Sequence, residues 1–300
     1  MKGWPFALLL VSCAGSELPL PPHPDRPLFV APRGPEPLAS SAPAPAEVAP
    51  SAELPPPASA PAPAPEESEA PAPVARCASV PPLLPNGAAP PAPPHEPLGQ
   101  DIPVPGDRAV YVLPGETEDP RVIIYLPGMC GDPTAADHFR SAAKAHGTLI
   151  SVRGDTECPN GRFKWRDDPA KIQSRILAAF EEVNAQRGGT LRLEGALLFG
   201  YSQGAERAER VAALYPKQYP RLVLGGPPQK ASPARLARAA RVAFLGGELE
   251  TTENMRVGFD ALRAAGIAAR FFTLECAYHG WFGTNAEAQL AEVLDWVTAP

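Results

Sequence analysis

From residue 101 onward, short apolar runs alternate with stretches whose apolar positions recur at helical spacing. Arg121-Val-Ile-Ile-Tyr-Leu126 is almost continuously apolar, as a central strand covered on both faces requires. Residues 148–152, 191–199, 221–224, 241–245 and 270–274 read as further strands, and 108–113 alternates like one. Helical spacing is expected over 135–145, from the Asp168-Pro169 cap to about 186, over 206–214, after Ser232-Pro233, from Thr251 or Thr252 to 265, and over 285–297. On the second of these Ile172, Ile176, Ala179 and Phe180 share a face. Strands alternating with helices imply an α/β fold, a mostly parallel sheet with helices on both faces. Ligands of such sheets bind outside the carboxyl ends of the strands.

One stretch stands out within this pattern. Leu197-Leu198-Phe199-Gly200-Tyr201-Ser202-Gln203-Gly204-Ala205-Glu206 is an apolar run that ends in Gly-x-Ser-x-Gly and passes at once into helical spacing. It describes a strand turning sharply into a helix with Ser202 at the apex. Gly200 and Gly204 stand where a side chain would strike the neighbouring strand or helix. The motif alone is common; its strand-turn-helix setting gives it weight.

Composition restricts the pattern to part of the chain. More than half of the 42 prolines lie between Ala14 and Gln100, in a Pro/Ala-rich segment with too few large apolar residues to build a core. Residues 13–100 are therefore expected to be a disordered tether, and 101–300 one domain of roughly 200 residues, enough for a sizeable core. The net charge of -6 gives no reason to expect nucleic acid as a partner. Lys2, then an apolar run from Trp4 to Val11, then Leu10-Val11-Ser12-Cys13 fit an export signal over residues 1–12. The last four resemble the processing box of bacterial lipoproteins. That resemblance implies lipidation of Cys13, anchoring to a membrane and a place in the bacterial envelope, the outer membrane favoured because Ala14 follows; plain secretion is the alternative.

Of the other cysteines, Cys77 falls in the tether, and Cys130, Cys158 and Cys276 in the domain. There is no Cys-x-x-Cys, and no metal or other cofactor is expected. Cys130 and Cys158 each follow a strand end on the same side of the sheet, so a Cys130–Cys158 disulfide is expected. Cys276 falls at the mouth of the anticipated site, with burial as an inert thiol its expected state.

Taken together, residues 101–300 resemble the α/β-hydrolase family, which places its catalytic groups in the order Ser, acid, His. The resemblance implies an α/β-hydrolase fold without a large lid domain. Ser202 matches the nucleophile position. Glu250, in Gly247-Glu-Leu-Glu250 after a strand, takes the place of the family's usual Asp, with Glu248 as the alternative acid. His279 in His279-Gly280 follows the last strand. Leu126-Pro127-Gly128-Met129-Cys130-Gly131 resembles the family's His-Gly-x-x-Gly, Pro127 replacing the histidine, so the backbone N–H groups of Met129 and Gln203 are the implied oxyanion donors. Trp165, Tyr201, Tyr278, Trp281 and Phe282 are candidates for lining a substrate pocket, against ordinary packing. Hydrolysis of a small-molecule carboxylic ester, or of a polymer end, is the implied activity. A non-catalytic surface binding protein and a serine peptidase remain alternatives.

Overall fold

The computed structural model describes Cys77, residues 98–116 and residues 118–300. The expected signal at residues 1–12, the lipidation site Cys13 and most of the tether lie outside these residues. Among the described residues no helix is long and apolar enough to cross a membrane.

The first strand, β1 (Gln100–Ile102), pairs antiparallel with β2 (Val110–Leu113), which pairs antiparallel with β4 (Thr148–Ser151). From β4 the sheet is parallel through β3 (Val122–Leu126), β7 (Leu197–Tyr201), β8 (Arg221–Gly225), β9 (Arg241–Gly247) and β10 (Ala269–Leu274). The order of the eight strands is β1-β2-β4-β3-β7-β8-β9-β10. The chain steps outward from β3 to β4 and then crosses back to β7, so strand order reverses about β3. The carboxyl ends of β3 and β7 therefore flank the crevice where open α/β sheets bind ligands.

Alternation along each strand divides the core in two. Ile124, Leu198, Leu222 and Phe244 enter one cluster; Ile123, Phe199, Val223 and Leu245 enter the other. The first is closed by α2 (Pro169–Gln186), α3 (Gln203–Leu214), the single turn α4 (Pro233–Leu236) and α5 (Glu253–Ala264). The second is closed by a 3-10 helix (Pro133–Phe139), α1 (Arg140–Ala145) and α6 (Ala286–Thr298). A mostly parallel sheet covered on both faces is thus what the apolar pattern predicts. Truncating a buried strand residue such as Leu198 to Ala removes contacts on a side with no water to replace them, about 2–5 kcal/mol.

Differences from the expected elements have local causes. The helix expected over 135–145 opens as a 3-10 turn capped by Asp132, whose Oδ1 accepts from the Thr134 N–H at 2.9 Å, and becomes α-helical at Arg140. Residues 191–196 are irregular rather than strand, although Leu191 and Leu193 are buried. The polar loop after β4 contains a small hairpin, β5 (Thr156–Glu157) and β6 (Phe163–Lys164). The Asp168 cap forms as expected, its carboxylate accepting from the Ala170 and Lys171 N–H groups at 2.9 and 3.0 Å.

The folded region also reaches upstream of residue 101. The Gly99 N–H donates to the Tyr111 hydroxyl at 2.6 Å, and Cys77 is disulfide-bonded to Cys276. Cys276 is accordingly not a free thiol.

Candidate active site

Ser202 sits between β7 and α3 with φ 51° and ψ −120°, a conformation that costs a side-chain-bearing residue about 1–3 kcal/mol. Its N–H donates to the Gly225 carbonyl at 2.7 Å, which holds the turn against β8. The motif's glycines are required by space: a Cβ at Gly204 would lie 1.9 Å from the Leu126 carbonyl oxygen, and one at Gly200 2.3 Å from that of Gly204.

Two further loops meet this turn. His279, after β10, has Nε2 3.0 Å from Ser202 Oγ and Nδ1 2.8 Å from Glu250 Oε2. Glu250, after β9, turns back on its own loop, its Oε1 accepting the Gly247 N–H at 2.6 Å. That return absorbs the extra methylene of Glu. The Glu250 side chain is 7% exposed and that of His279 51%, so the acid is enclosed while the imidazole is open to solvent. Gly226 makes room for the ring: it has φ +50°, and a Cβ there would lie 2.9 Å from His279 Nδ1. Glu248 faces elsewhere, accepting the Cys276 N–H at 3.0 Å. Of the two candidate acids, the one brought to His279 is Glu250.

The loop after β3 lies against the same serine, since a Cβ on Gly128 would come within 3.1 Å of Ser202 Cβ. Within it Cys130 has φ 53°, its N–H donates to the Phe163 carbonyl at 2.9 Å, and the Gly131 N–H donates to the Gly128 carbonyl at 3.0 Å. Met129 between them is 60% exposed. Gln203 is the first residue of α3, a position whose N–H has no acceptor within its helix. The expected Cys130–Cys158 disulfide is present, with a Cα–Cα distance of 5.9 Å.

Of the two roles open to the aromatic candidates, pocket lining and ordinary packing, most of them show packing contacts. Trp165 is buried and braces both the loop after β3 and the start of α3: its indole N–H donates to the Pro127 carbonyl at 2.8 Å, and its backbone N–H and carbonyl meet the Gln203 side-chain amide at 2.9 and 3.1 Å. Tyr201 is buried and its hydroxyl accepts the Gly280 N–H at 2.8 Å, fixing the histidine loop. Burial first, and then the Glu250 carboxylate, push its phenol well above the ordinary range, so it stays protonated. Phe282 is buried in the core beneath, packed edge-on to Tyr201 with ring centroids 5.2 Å apart, and Tyr278 is also buried. Trp281, half-buried, is the one of the five that reaches the surface. Arg153 and Arg162, neighbours in the same loop system, are committed to Asp101 and Asp132 at 2.8 Å each.

No family model matches the chain, and no curated relative is found. Solved structures do match. A carboxylesterase from Mesorhizobium loti superposes with a TM-score of 0.50 at 19% identity, covering 67% of this chain and 100% of its own. The fold is that of the α/β-hydrolases. Carboxylesterase CesB of Bacillus subtilis (TM-score 0.47, 13% identity, 68% of this chain and 93% of that one) and esterase 2 of Thermogutta terrifontis (0.46, 17%, 68% and 95%) are also similar. With the α/β-hydrolase fold in place, the Ser202, Glu250 and His279 loops follow β7, β9 and β10 in sequence order.

Proposed function

We propose that this protein is a serine hydrolase that cleaves carboxylic esters through an acyl-enzyme intermediate. The observation that carries the reading is the unbroken hydrogen-bonded chain from Ser202 Oγ through His279 to the Glu250 carboxylate. A serine hydroxyl is a poor nucleophile until a base takes its proton. In the reading, Ser202 Oγ attacks the ester carbonyl carbon while its proton passes to His279 Nε2. Glu250 stays ionised, holds the proton on Nδ1 and offsets the imidazolium charge. The tetrahedral oxyanion is received by the N–H groups of Met129 and Gln203. Collapse expels the alcohol, which takes the proton from His279. Water, deprotonated by the same imidazole, then releases the carboxylic acid and restores Ser202.

The open imidazole and the exposed Met129, in the loop that lies against Ser202, support a substrate that approaches from the surface, a small ester or the end of a polymer. Two disulfides support an oxidising compartment, in keeping with export through residues 1–12 and attachment by a lipidated Cys13.

The test is a panel of short- and long-acyl esters, lactones, feruloyl esters and aminoacyl reporters, with fluorophosphonate labelling alongside. Wild type should hydrolyse at least one ester class faster than the aminoacyl reporters and should label once per chain. Ser202→Ala should abolish labelling and reduce turnover by on the order of ten-thousandfold or more. A folded wild-type protein that neither labels nor turns over any ester would sink the reading.

A further inference from the structure

Among the described residues, three that are not glycine have positive φ: Cys130, Ser202 and Cys276. One is the candidate nucleophile, and each of the other two is held by a disulfide. An L residue in such a conformation relaxes unless its surroundings over-determine it.

Cys276 opens the run Cys276-Ala277-Tyr278-His279; the Tyr201 hydroxyl holds this loop beyond the imidazole through the Gly280 N–H, and Cys276 is a tie before it. Its Sγ is bonded to that of Cys77, 199 residues away in sequence, and its N–H is held by Glu248 Oε2 at 3.0 Å. The Glu248 N–H donates to the Leu274 carbonyl and the Leu249 N–H to the Ala277 carbonyl, each at 2.9 Å. The loop of Glu250 is thus stitched to the loop of His279, and the sulfur bridge lies at the left-handed residue of the second loop.

We propose that the Cys77–Cys276 disulfide and Glu248 form a clamp that positions His279, so that turnover depends on an oxidised bridge. This rests on the ester-hydrolase reading given above. Without the clamp Cys276 can leave φ 54° for an ordinary negative φ, and the imidazole rotates off its contacts with Ser202 and Glu250. A displacement of about 1 Å at a reacting group costs on the order of a hundredfold in rate. Cys77, Cys276 and Glu248 are positioning residues, because it is His279 that is hydrogen-bonded to Ser202 Oγ and to Glu250, and they act through its loop. The Cys130–Cys158 bridge is less critical. Its loop is also tied to the Phe163 carbonyl and, through Pro127, to the Trp165 indole.

The full chain is assayed oxidised, as Cys77→Ser/Cys276→Ser, and as Cys130→Ser/Cys158→Ser. Wild type is also treated with a water-soluble trialkylphosphine. In that reaction the disulfide takes up two electrons and two protons to give two thiols, and the phosphine takes the oxygen of one water and leaves as its oxide. The Cys77/Cys276 variant should lose at least about tenfold in kcat, with KM within about threefold; the other pair should lose less than about threefold. Reduced wild type should follow the first variant and recover with oxidised glutathione. Hydrogen exchange of the peptide spanning 274–283, read by mass spectrometry without substrate, should quicken in the first variant only. With the bridge intact, Glu248→Ala should lower kcat about fivefold, and Glu248→Gln, whose amide oxygen still accepts the Cys276 N–H, should restore it. This pair decides the matter should the cysteine variant not fold. Wild-type kcat and exchange in the Cys77/Cys276 variant would overturn the clamp while leaving the esterase reading intact. If oxidised wild type hydrolyses no ester, the functional reading falls, and the exchange measurement alone decides for or against the clamp.

Discussion

At the amino edge of the sheet the chain turns on glycine: Gly147 before β4, Gly195 before β7 and Gly266 before β10 all have positive φ. At the carboxyl edge Gly226 after β8 also has positive φ, but residues with side chains take it there too: Cys130 after β3, Ser202 after β7 and Cys276 after β10. Glycine enters that region at no steric cost. A side chain is kept there only where it supplies something a backbone cannot, here a hydroxyl and two sulfur bridges. A cavity of about 470 Å3 lies at the amino edge, lined by Glu194, Leu214, Lys217 and Arg238 among others, and its lining holds no serine, cysteine or histidine. That space offers none of the side-chain types gathered at the strained turns.

The sharpest way to break this contrast is at the carboxylates. Glu250→Gln should lower kcat by about a thousandfold or more, because the amide neither fixes the tautomer of His279 nor offsets its charge. Glu248→Gln should stay within about twofold of wild type. The reverse outcome would move the acid to Glu248 and dismantle the triad as drawn.

Gly226→Ala comes next. Its Cβ must displace the His279 ring, so kcat should fall by about ten- to a hundredfold, with a loss of about 1–2 kcal/mol in chemical denaturation. The matched change at the other edge is Gly195→Ala, where φ is +82° and nothing lies within 4 Å of the new Cβ. It should cost about the same 1–2 kcal/mol of stability from backbone strain alone and leave kcat/KM untouched. Equal kinetic damage from both would show that the carboxyl edge has no special sensitivity.

The smallest effect concerns pH. His146, at the amino edge beside Gly147, places Nε2 3.1 Å from Asp295 and Nδ1 3.1 Å from the Thr298 hydroxyl. Burial, and secondarily Arg121, hold its pKa below the ordinary value although Asp295 pulls the other way. The unfolded chain therefore binds a proton at about pH 6.5, where the folded one still resists it. Stability contributed by neutral His146 is present above that pH and declines as pH falls through it. Denaturation at pH 7.5 and 5.5 should show a smaller difference in His146→Gln than in wild type. An unchanged difference would remove His146 from the account.

How much was legible in the sequence follows from the range of the interactions. The elbow at Ser202 was readable because its strand, its two glycines and its helix are contiguous. His279 and Glu250 were legible only through the resemblance, which placed them after strand ends and left Glu248 open as the acid. Leu191 and Leu193 misled, because an irregular segment can bury apolar residues when its amides find partners: the Leu191 N–H meets Asn184 Oδ1 and the Arg192 N–H the Pro120 carbonyl, both at 2.8 Å. The hairpin of β5 and β6 was too short to have a period. Trp165 was visible as an aromatic near the site, but its role depends on a carbonyl 38 residues away. The partner of Cys276 was out of reach altogether, because Cys77 lies in a stretch whose composition carries no structural signal.

That bridge also decides where mechanical load enters the domain. Tension applied at Cys77 reaches Cys276 through the bridge without passing through β1. The point of entry is the turn that aims His279. A covalent path therefore runs from Cys77 through Cys276 into the His279 loop, and strain along it would be felt beside the imidazole without loading β1.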